Sequence, residues 1–306
     1  MPYKVKFMKE LVVISGKGGT GKTVLSGSFA ALADNCVIAD TDVDAANLYI
    51  LLQPEVLSTT SFCGGKEAIL DPDKCTACGE CVSVCRFDAI RGSEIPEISA
   101  YSCEGCGLCS RICPTGAIRM EDRESGKLFI SSTAYGPFVH ARLGIAQENS
   151  GKLVSQVRIN ATRKGKEENA EVVIIDGPPG IGCPAIASLS GTDLALVVTE
   201  PSLSGLHDLI RVIETTRFFR TKPACCINKW DISPELSDTI EDWCADNTVP
   251  FLGKIPYDHS VFQSLKDGKP FVLQSDGEAA RSIREIWDNI KDILNLGSHN
   301  HEKNNS

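Results

Sequence analysis

The chain has 306 residues, of which 42% are hydrophobic, with a formal net charge of -9 and a pI near 5.2. This acidic balance provides no basic field for gathering nucleic-acid phosphates or binding an acidic membrane surface, so it argues against both partners. The length suggests two domains. No window approaches the roughly 18 apolar residues that span a bilayer, and no secretory signal opens the chain, so we expect a cytoplasmic protein without a membrane anchor.

The first predicted elements are a strand, a glycine-rich turn and a helix, within KELVVISGKGGTGKTVLSGSFAALA. A second strand, CVIAD, covers residues 36–40. Further strands, each followed by a helical stretch, are predicted at residues 171–180, 193–200, 222–229 and 249–256. This repetition predicts an α/β fold with a mostly parallel sheet and helices on both faces.

A cysteine-rich and glycine-rich segment interrupts the β-α pattern. We therefore predict the first part of an α/β domain at residues 1–60, an inserted small α+β domain at 61–120, the second part of the α/β domain at 121–293, and a polar tail at 294–306. Residues 121–170 are interpreted as mixed strand and loop. Near the C-terminus, a stripe at helical spacing predicts a core-facing helix, with apolar positions Ile283, Ile286, Trp287, Ile290 and Ile293.

The stretch GKGGTGKT fits the phosphate-loop pattern G-x-x-x-x-G-K-[ST], and it lies in the required context between a strand and a helix. Backbone N–H groups of such a loop turn inward on phosphates, Lys22 reaches the β and γ oxygens, and the Thr23 hydroxyl can join Mg²⁺. The predicted nucleotide-binding residues of the loop are Gly16, Gly18, Gly19, Thr20, Gly21, Lys22 and Thr23.

Acidic residues follow two of the predicted strands. Asp176 lies between EVVII and GPPG, where a carboxylate can hold Mg²⁺ through water. Asp40, Asp42 and Asp44 cluster after the second strand, and Asp40 is predicted to lie near the metal together with Thr23 and Asp176. The alternative for Asp42 or Asp44 is the capping of a helix.

Fourteen cysteines in a chain without a secretory signal favour metal ligation over disulfides. Two runs share the spacing C-x₂-C-x₂-C-x₃-C, in which the fourth cysteine of each run ligates the cluster of the other. We therefore expect two [4Fe–4S] clusters. The predicted ligand sets are Cys75, Cys78, Cys81 and Cys113 for one, and Cys103, Cys106, Cys109 and Cys85 for the other.

Zinc is the alternative for these cysteines, although paired C-x₂-C zinc sites do not need the third and fourth cysteines at these offsets. Pro114 follows the second run, whereas Arg86 stands at the matching position of the first. Cys63 lies outside both sets and is interpreted as an unliganded thiol.

These motifs resemble the MinD/ParA superfamily of ATPases with a deviant phosphate loop, a class that includes the nitrogenase iron protein and iron–sulfur cluster carriers. The similarity runs from Met8 to about residue 293, with an inserted bacterial-type ferredoxin domain. It implies ATP and Mg²⁺ as cofactors. It also implies a homodimer, or a heterodimer with a similar chain, in which Lys17 reaches the partner's nucleotide. The quoted segments are SGKGGTGKT, DTDVDAANL, the doubled cysteine run, DGPPGIGCP, TEPSLSGLHDL and GKIPYD.

The resemblance further implies roles for single residues. Lys17, Lys22 and Asp42 would be catalytic, with Asp42 orienting the attacking water. Asn228, in NKWD, would contact the adenine edge and Pro256 would lie near the base. The N-K-x-D form also resembles guanine-reading loops, so the preference for ATP rests on the class.

Three other residues have two interpretations each. Cys183 stands at the spacing of a cluster ligand in the nitrogenase iron protein, and the alternative is a small residue packed at a helix start. His140 and Lys152 could face a cluster or a partner chain. A solvated surface role is favoured for both.

Three functions follow from these patterns. The first is an ATP-driven redox protein that passes electrons through its clusters to a partner. The second is a carrier that delivers an iron–sulfur cluster to client proteins, although carriers of this class use a C-x-x-C pair and Cys225 and Cys226 are adjacent. The third is a positioning ATPase, which would need a basic amphipathic C-terminal helix to bind membranes.

Overall fold

The computed structural model describes residues 8–144 and 150–297. Within these, residues 8–59, 128–142 and 150–297 form a larger compact unit, and residues 60–127 with 143–144 form a smaller one. The smaller unit therefore continues past residue 120, where the insert was predicted to end. Most of the predicted polar tail, residues 298–306, lies outside the described residues.

The first half of the chain alternates strands with short helices. Its elements are β1 (Lys9–Ser15), α1 (Lys22–Leu32), β2 (Cys36–Asp40), α2 (Leu48–Leu52), β3 (Glu55–Leu70), α3 (Glu80–Val84), β4 (Ile90–Arg91), β5 (Glu97–Ile98), α4 (Leu108–Ile112), β6 (Ile118–Thr133) and β7 (Gly136–Leu143).

The second half contains longer helices and four strands. Its elements are α5 (Ser150–Glu167), β8 (Val172–Pro179), α6 (Cys183–Leu189), β9 (Leu194–Thr199), α7 (Leu203–Phe218), β10 (Lys222–Asn228), α8 (Pro234–Asp246), β11 (Phe251–Ile255), α9 (Ser260–Asp267) and α10 (Glu278–Leu294).

Among the described residues, nine strands form one sheet in the order β11-β10-β9-β1-β8-β2-β7-β6-β3. The pairs from β11 to β7 are parallel. The prediction of a mostly parallel α/β sheet is therefore confirmed. Since parallel strands end at the same edge, the loops after β1, β2 and β8 meet there, and ligands in such sheets bind at that edge.

Both faces of the central strands are buried. Leu11 and Val13 belong to a core that includes Phe29 of α1 and Trp287 of α10, whose rings stack at 5.3 Å. Val12, on the opposite face of β1, is also fully buried. Helices therefore cover both sides of the sheet. The predicted stripe of α10 faces this core, with Ile293 only partly buried.

The interpretation of residues 121–170 as mixed strand and loop is wrong for its second half, because α5 occupies Ser150–Glu167. Its buried side chains are few and partly small, and lysine, arginine and asparagine separate them, so the apolar signal is weak. The buried positions are Leu153, Val154, Val157, Ala161 and Gly165.

The long strand β3 was not predicted, and β6 was covered only by the interpretation of residues 121–170 as mixed strand and loop. β3 is exposed along almost all of its first nine residues. Without one buried face, a strand shows no alternation of apolar and polar residues, which is the signal by which sequence reveals it.

Candidate nucleotide site and cysteine site

The glycine-rich loop joins β1 to α1 and ends in a buried lysine. Gly19 and Gly21 adopt φ angles of 81° and 94°, which favour glycine. The Lys22 ammonium donates to the Ser15 hydroxyl at 2.9 Å. Burial lowers the pKa of Lys22, and the nearby carboxylates of Asp176 and Asp42 oppose this shift. The loop therefore holds a cation close to two acidic groups.

Asp176 lies within β8, beside the N-terminal half of α1. Its carboxylate accepts a hydrogen bond from the Ser26 hydroxyl at 2.9 Å and another from Thr23. Burial raises the pKa of Asp176 to about 6, while Thr23, Lys22 and Ser26 oppose the shift. Two of the three residues predicted at the Mg²⁺ site, Thr23 and Asp176, are thus in contact.

Asp40 is fully buried at the end of β2. Its carboxylate accepts the backbone N–H groups of Asp42 at 3.0 Å and Leu48 at 3.3 Å. It therefore holds both ends of the loop between β2 and α2. Burial and the neighbouring Asp176 raise the pKa of Asp40 well above its ordinary value. Metal ligation by Asp40 stays a prediction.

A cavity of about 640 Å³ opens beside the phosphate loop. Known ligand pockets span roughly 300–1,000 Å³. The cavity is lined by most of the loop, by the predicted site residues Asp42, Asn228 and Pro256, and by apolar side chains that include Val261, Leu265 and Phe271. Asn47, not an aspartate, stands at the N-cap of α2, so the capping alternative for Asp42 and Asp44 does not hold there.

Two predicted nucleotide-binding residues also make contacts that support the phosphate loop. Asn228 lines the cavity, and its side-chain amide donates to the Thr20 carbonyl at 2.8 Å. Gly16 packs so closely on Asp208 that a side chain there would collide with it. These contacts hold the loop against β10 and α7.

The rest of the NKWD segment shows what the sequence did not reveal. Lys229 donates to the Glu200 carboxylate at 2.6 Å and to the Gly19 carbonyl at 3.3 Å. Asp231 accepts the Tyr257 backbone N–H at 2.7 Å and does not line the cavity. A guanine-reading role needs this carboxylate at the base, so its position argues against that alternative. Lys229 and Glu200 lie far apart in sequence, and no motif linked them.

Lys17 lies against the N-terminal turn of α7. Its ammonium is 3.4 Å from the hydroxyls of Ser202 and Ser204 and 3.8 Å from the Glu200 carboxylate. These contacts within the chain hold the lysine at the margin of the phosphate loop.

The two cysteine runs fold alike within the smaller unit. Gly79 and Gly107, each with φ near 75°, precede the short helices α3 and α4. The second residue of each helix, Cys81 or Cys109, is buried. Burial raises the pKa of both thiols, with further electrostatic effects from the other cysteines of the same run, Cys75 and Cys78 or Cys103 and Cys106. Each run therefore gathers its first three cysteines.

One cavity in this unit brings the runs together. Its lining includes Cys85 from the first run and Cys103, Cys106 and Cys109 from the second. This is the predicted set for one cluster. In the other set, the backbone N–H of Ala77 donates to the Cys75 sulfur at 3.4 Å. Although burial opposes it, hydrogen bonds from Thr115 and the backbone lower the pKa of Cys113.

Within residues 8–144 and 150–297, no three His, Cys, Asp or Glu side chains have the spacing of a metal-ion site. Whether this unit suits iron–sulfur clusters therefore depends on how the cysteine thiols are grouped and hydrogen-bonded. Thiols grouped in this way, with backbone N–H groups directed at sulfur, fit thiolate ligation. Cluster binding by these cysteines stays a prediction.

Comparison with known proteins covers most of the chain. A model of the CobQ/CobB/MinD/ParA nucleotide binding domain matches residues 11–271. The chain belongs to this family. It is accordingly a P-loop ATPase of the MinD/ParA type, and the expected superfamily is confirmed.

Individual relatives agree with this assignment. An uncharacterized protein of Methanocaldococcus jannaschii is 35% identical over 96% of this chain and 100% of its own length. The septum site-determining protein MinD of Neisseria meningitidis is 24% identical over 91% of this chain and 89% of its own. Pyrococcus horikoshii MinD, solved with Mg-ADP, superposes with a TM-score of 0.58 at 17% identity, covering 94% of this chain and 97% of that one. At this identity, the last comparison supports the fold alone.

The structure corrects the solvated role predicted for His140 in this MinD/ParA-type chain. Its ring is buried, 4.5 Å from the ring of Phe138 and 4.9 Å from that of Phe129. Two phenylalanines on neighbouring strands enclose it, which a one-dimensional pattern does not reveal. Lys152 is exposed, as predicted.

Cys183 begins α6 but is exposed, so the alternative of a packed small residue is wrong, and cluster ligation stays a prediction. As for membranes, no helix in the described part of the chain is both long and apolar enough to cross one.

Proposed function

We propose that this protein is a Mg²⁺-dependent ATPase whose nucleotide state controls electron transfer through two [4Fe–4S] clusters in its cysteine-rich unit. One observation supports the ATPase part above all others. A single cavity is lined by Lys22, Thr23 and Asp42, and Thr23 is hydrogen-bonded to the buried Asp176.

The residues in and beside the cavity have separate roles in phosphoryl transfer. Backbone N–H groups of the loop and the Lys22 ammonium hold the phosphates, and Asp42 orients a water at the cavity wall. Thr23 and Asp176 would hold Mg²⁺, which when bound neutralises charge on the β and γ oxygens. Lys17 would leave Glu200, Ser202 and Ser204 to reach the nucleotide of a second chain, either identical or similar.

The redox part rests on the two cysteine sets. Cys85 lines a cavity with three cysteines of the other run, as reciprocal ligation requires. Clusters held there would supply one-electron transfer to a redox partner. The N–H groups directed at sulfur suit thiolate ligands, and together with the burial of Cys81 and Cys109 they would adjust the reduction potential of a bound cluster.

The decisive experiment is anaerobic purification followed by iron and sulfide analysis and ATPase assays. We expect about eight irons and eight sulfides per chain, the content of two four-iron clusters. Hydrolysis should differ between oxidised and reduced protein, because the proposal couples the nucleotide site to the clusters. Iron contents near zero would remove the redox part. Equal ATPase rates in both states would remove the coupling, and cluster transfer to an apo-ferredoxin would instead identify a carrier of clusters to client proteins.

A positioning ATPase is the second candidate, because several relatives are named for septum site determination. The apolar stripe of α10 is buried against the sheet rather than offered to a membrane. We therefore expect no ATP-dependent sedimentation with vesicles of anionic lipid. Sedimentation that requires ATP would favour this candidate over the redox protein.

A further inference from the structure

A second cavity borders α2, as the nucleotide cavity does. It measures about 590 Å³, within the range of small-molecule pockets. Ile50, Pro54, Val56 and Phe129 give it apolar walls. Ile50 also lines the nucleotide cavity, so the two cavities share one wall.

One buried polar group of this cavity lacks a partner. His140 lines it with only 5% of its surface exposed. Its Nε2 is 3.2 Å from the Ser131 hydroxyl, which fixes the ring between Phe129 and Phe138. Its Nδ1 has no hydrogen-bond partner in the described part of the chain. A buried, unpaired ring nitrogen costs free energy unless a ligand or water satisfies it.

One cation completes the lining. Arg142 follows His140 by two residues on β7, so both lie on the same face of the strand. Its guanidinium carbon is 4.7 Å from the centre of the Tyr49 ring. No ion pair involves Arg142 among the described residues, so its charge is not neutralised by the protein there. Burial, with Arg142 nearby, lowers the pKa of His140 to about 4, so the imidazole is neutral at pH 7.

We propose that this cavity binds a small organic carboxylate with an apolar body. One guanidinium group can donate two parallel hydrogen bonds to one carboxylate. The aromatic and aliphatic walls take the apolar body, and the neutral His140 ring offers one further hydrogen bond. A di- or triphosphate would place several charges against one cation and apolar walls, which disfavours it.

Benzoate is a suitable probe, with benzamide as its uncharged analogue. The holoprotein is saturated with Mg-ADP, so that the nucleotide cavity is closed to the probe, and the imidazole nitrogen resonances of His140 are followed by NMR. We expect saturable shifts with benzoate and binding of benzamide weaker by about tenfold, the loss of one charge-assisted interaction. Shifts of equal midpoint for both compounds would overturn the proposal.

Arg142→Gln tests the same point on the protein. Because Arg142 is exposed, this variant should fold, and thermal unfolding checks that it does. Benzoate affinity should fall about tenfold, whereas Arg281→Gln, an exposed arginine on α10, should leave it unchanged. Unaltered benzoate binding in a folded Arg142→Gln protein would contradict the proposal. Mg-ADP affinity, measured separately, is independent of this result and belongs to the ATPase proposal.

Discussion

Asp40 and Asp176 lie in register on the neighbouring parallel strands β2 and β8, and both carboxyl groups are buried. The two carboxylates accept hydrogen bonds from different kinds of donor. Asp40 accepts backbone N–H groups that shape the loop carrying Asp42, whereas Asp176 accepts side-chain hydroxyls from α1. Asp40, which holds the loop that carries Asp42, therefore lies beside Asp176, the proposed Mg²⁺ ligand.

The first prediction concerns Asp176→Asn without nucleotide or Mg²⁺. The pKa of Asp176 is about 6 in the folded chain, above its ordinary 3.8, so the folded state binds this proton more tightly. Its contribution to stability is therefore present at low pH and is lost as pH rises from about 4 through 6. The variant should gain on the order of 1 to 3 kcal/mol in the free energy of unfolding at pH 7. Denaturant unfolding at pH 5 and pH 7 measures this.

Asp34→Asn, at an exposed carboxylate, is the control for that experiment. It should leave the pH dependence of unfolding as in the unmodified protein. If Asp176→Asn also left the dependence unchanged, the shifted pKa of Asp176 would be wrong.

A second prediction concerns Gly21→Ala in the phosphate loop. Gly21 has φ 94°, and a methyl group there would collide with the Asn228 side-chain amide that holds the Thr20 carbonyl. We expect a loss of about 1 to 3 kcal/mol in the free energy of unfolding of the nucleotide-free protein. Gly19→Ala is the matched control, because Gly19 also has a positive φ, 81°, and nothing lies within 4 Å of its added methyl group. Equal losses in both variants would refute the collision with Asn228.

A third prediction concerns the buried ring of His140. Its effect on the pH dependence of stability is opposite to that of Asp176. Its pKa is about 4 in the folded chain against 6.5 ordinarily, so the unfolded chain binds the proton more tightly. Stability is therefore lost as pH falls from 6.5 through 4. His140→Phe should lessen that loss by on the order of 1 to 3 kcal/mol in denaturant unfolding. His207→Gln, at an exposed histidine, should behave like the unmodified protein. A loss of the same size in His140→Phe would show that His140 does not titrate as stated.

A fourth prediction concerns the cysteine sets. Cys85→Ser, in anaerobically purified protein, should lower the iron content by up to about half, because it removes one ligand from one of two clusters. Cys63→Ser should leave iron unchanged, since Cys63 is exposed and outside both sets. Electron paramagnetic resonance of the reduced proteins distinguishes the remaining cluster. Equal iron in Cys85→Ser and the unmodified protein would overturn its role as a ligand.

The parts of the fold that could be predicted are those with a local signal. The strands β2, β8, β9 and β10 were located within a few residues, because continuous apolar runs mark buried parallel strands. α5 and the exposed β3 lacked such a signal. Their places are set by contacts with distant strands.

By itself, the sequence determined the phosphate loop and the spacing within each cysteine run, because these geometries depend on residues only a few positions apart. Only the tertiary structure decided the pairing of Asp40 with Asp176, the bracing of Thr20 by Asn228, and the enclosure of His140 between two phenylalanines. Each of these depends on which strands are neighbours. Strand order follows from packing the whole sheet, and no short segment contains that information.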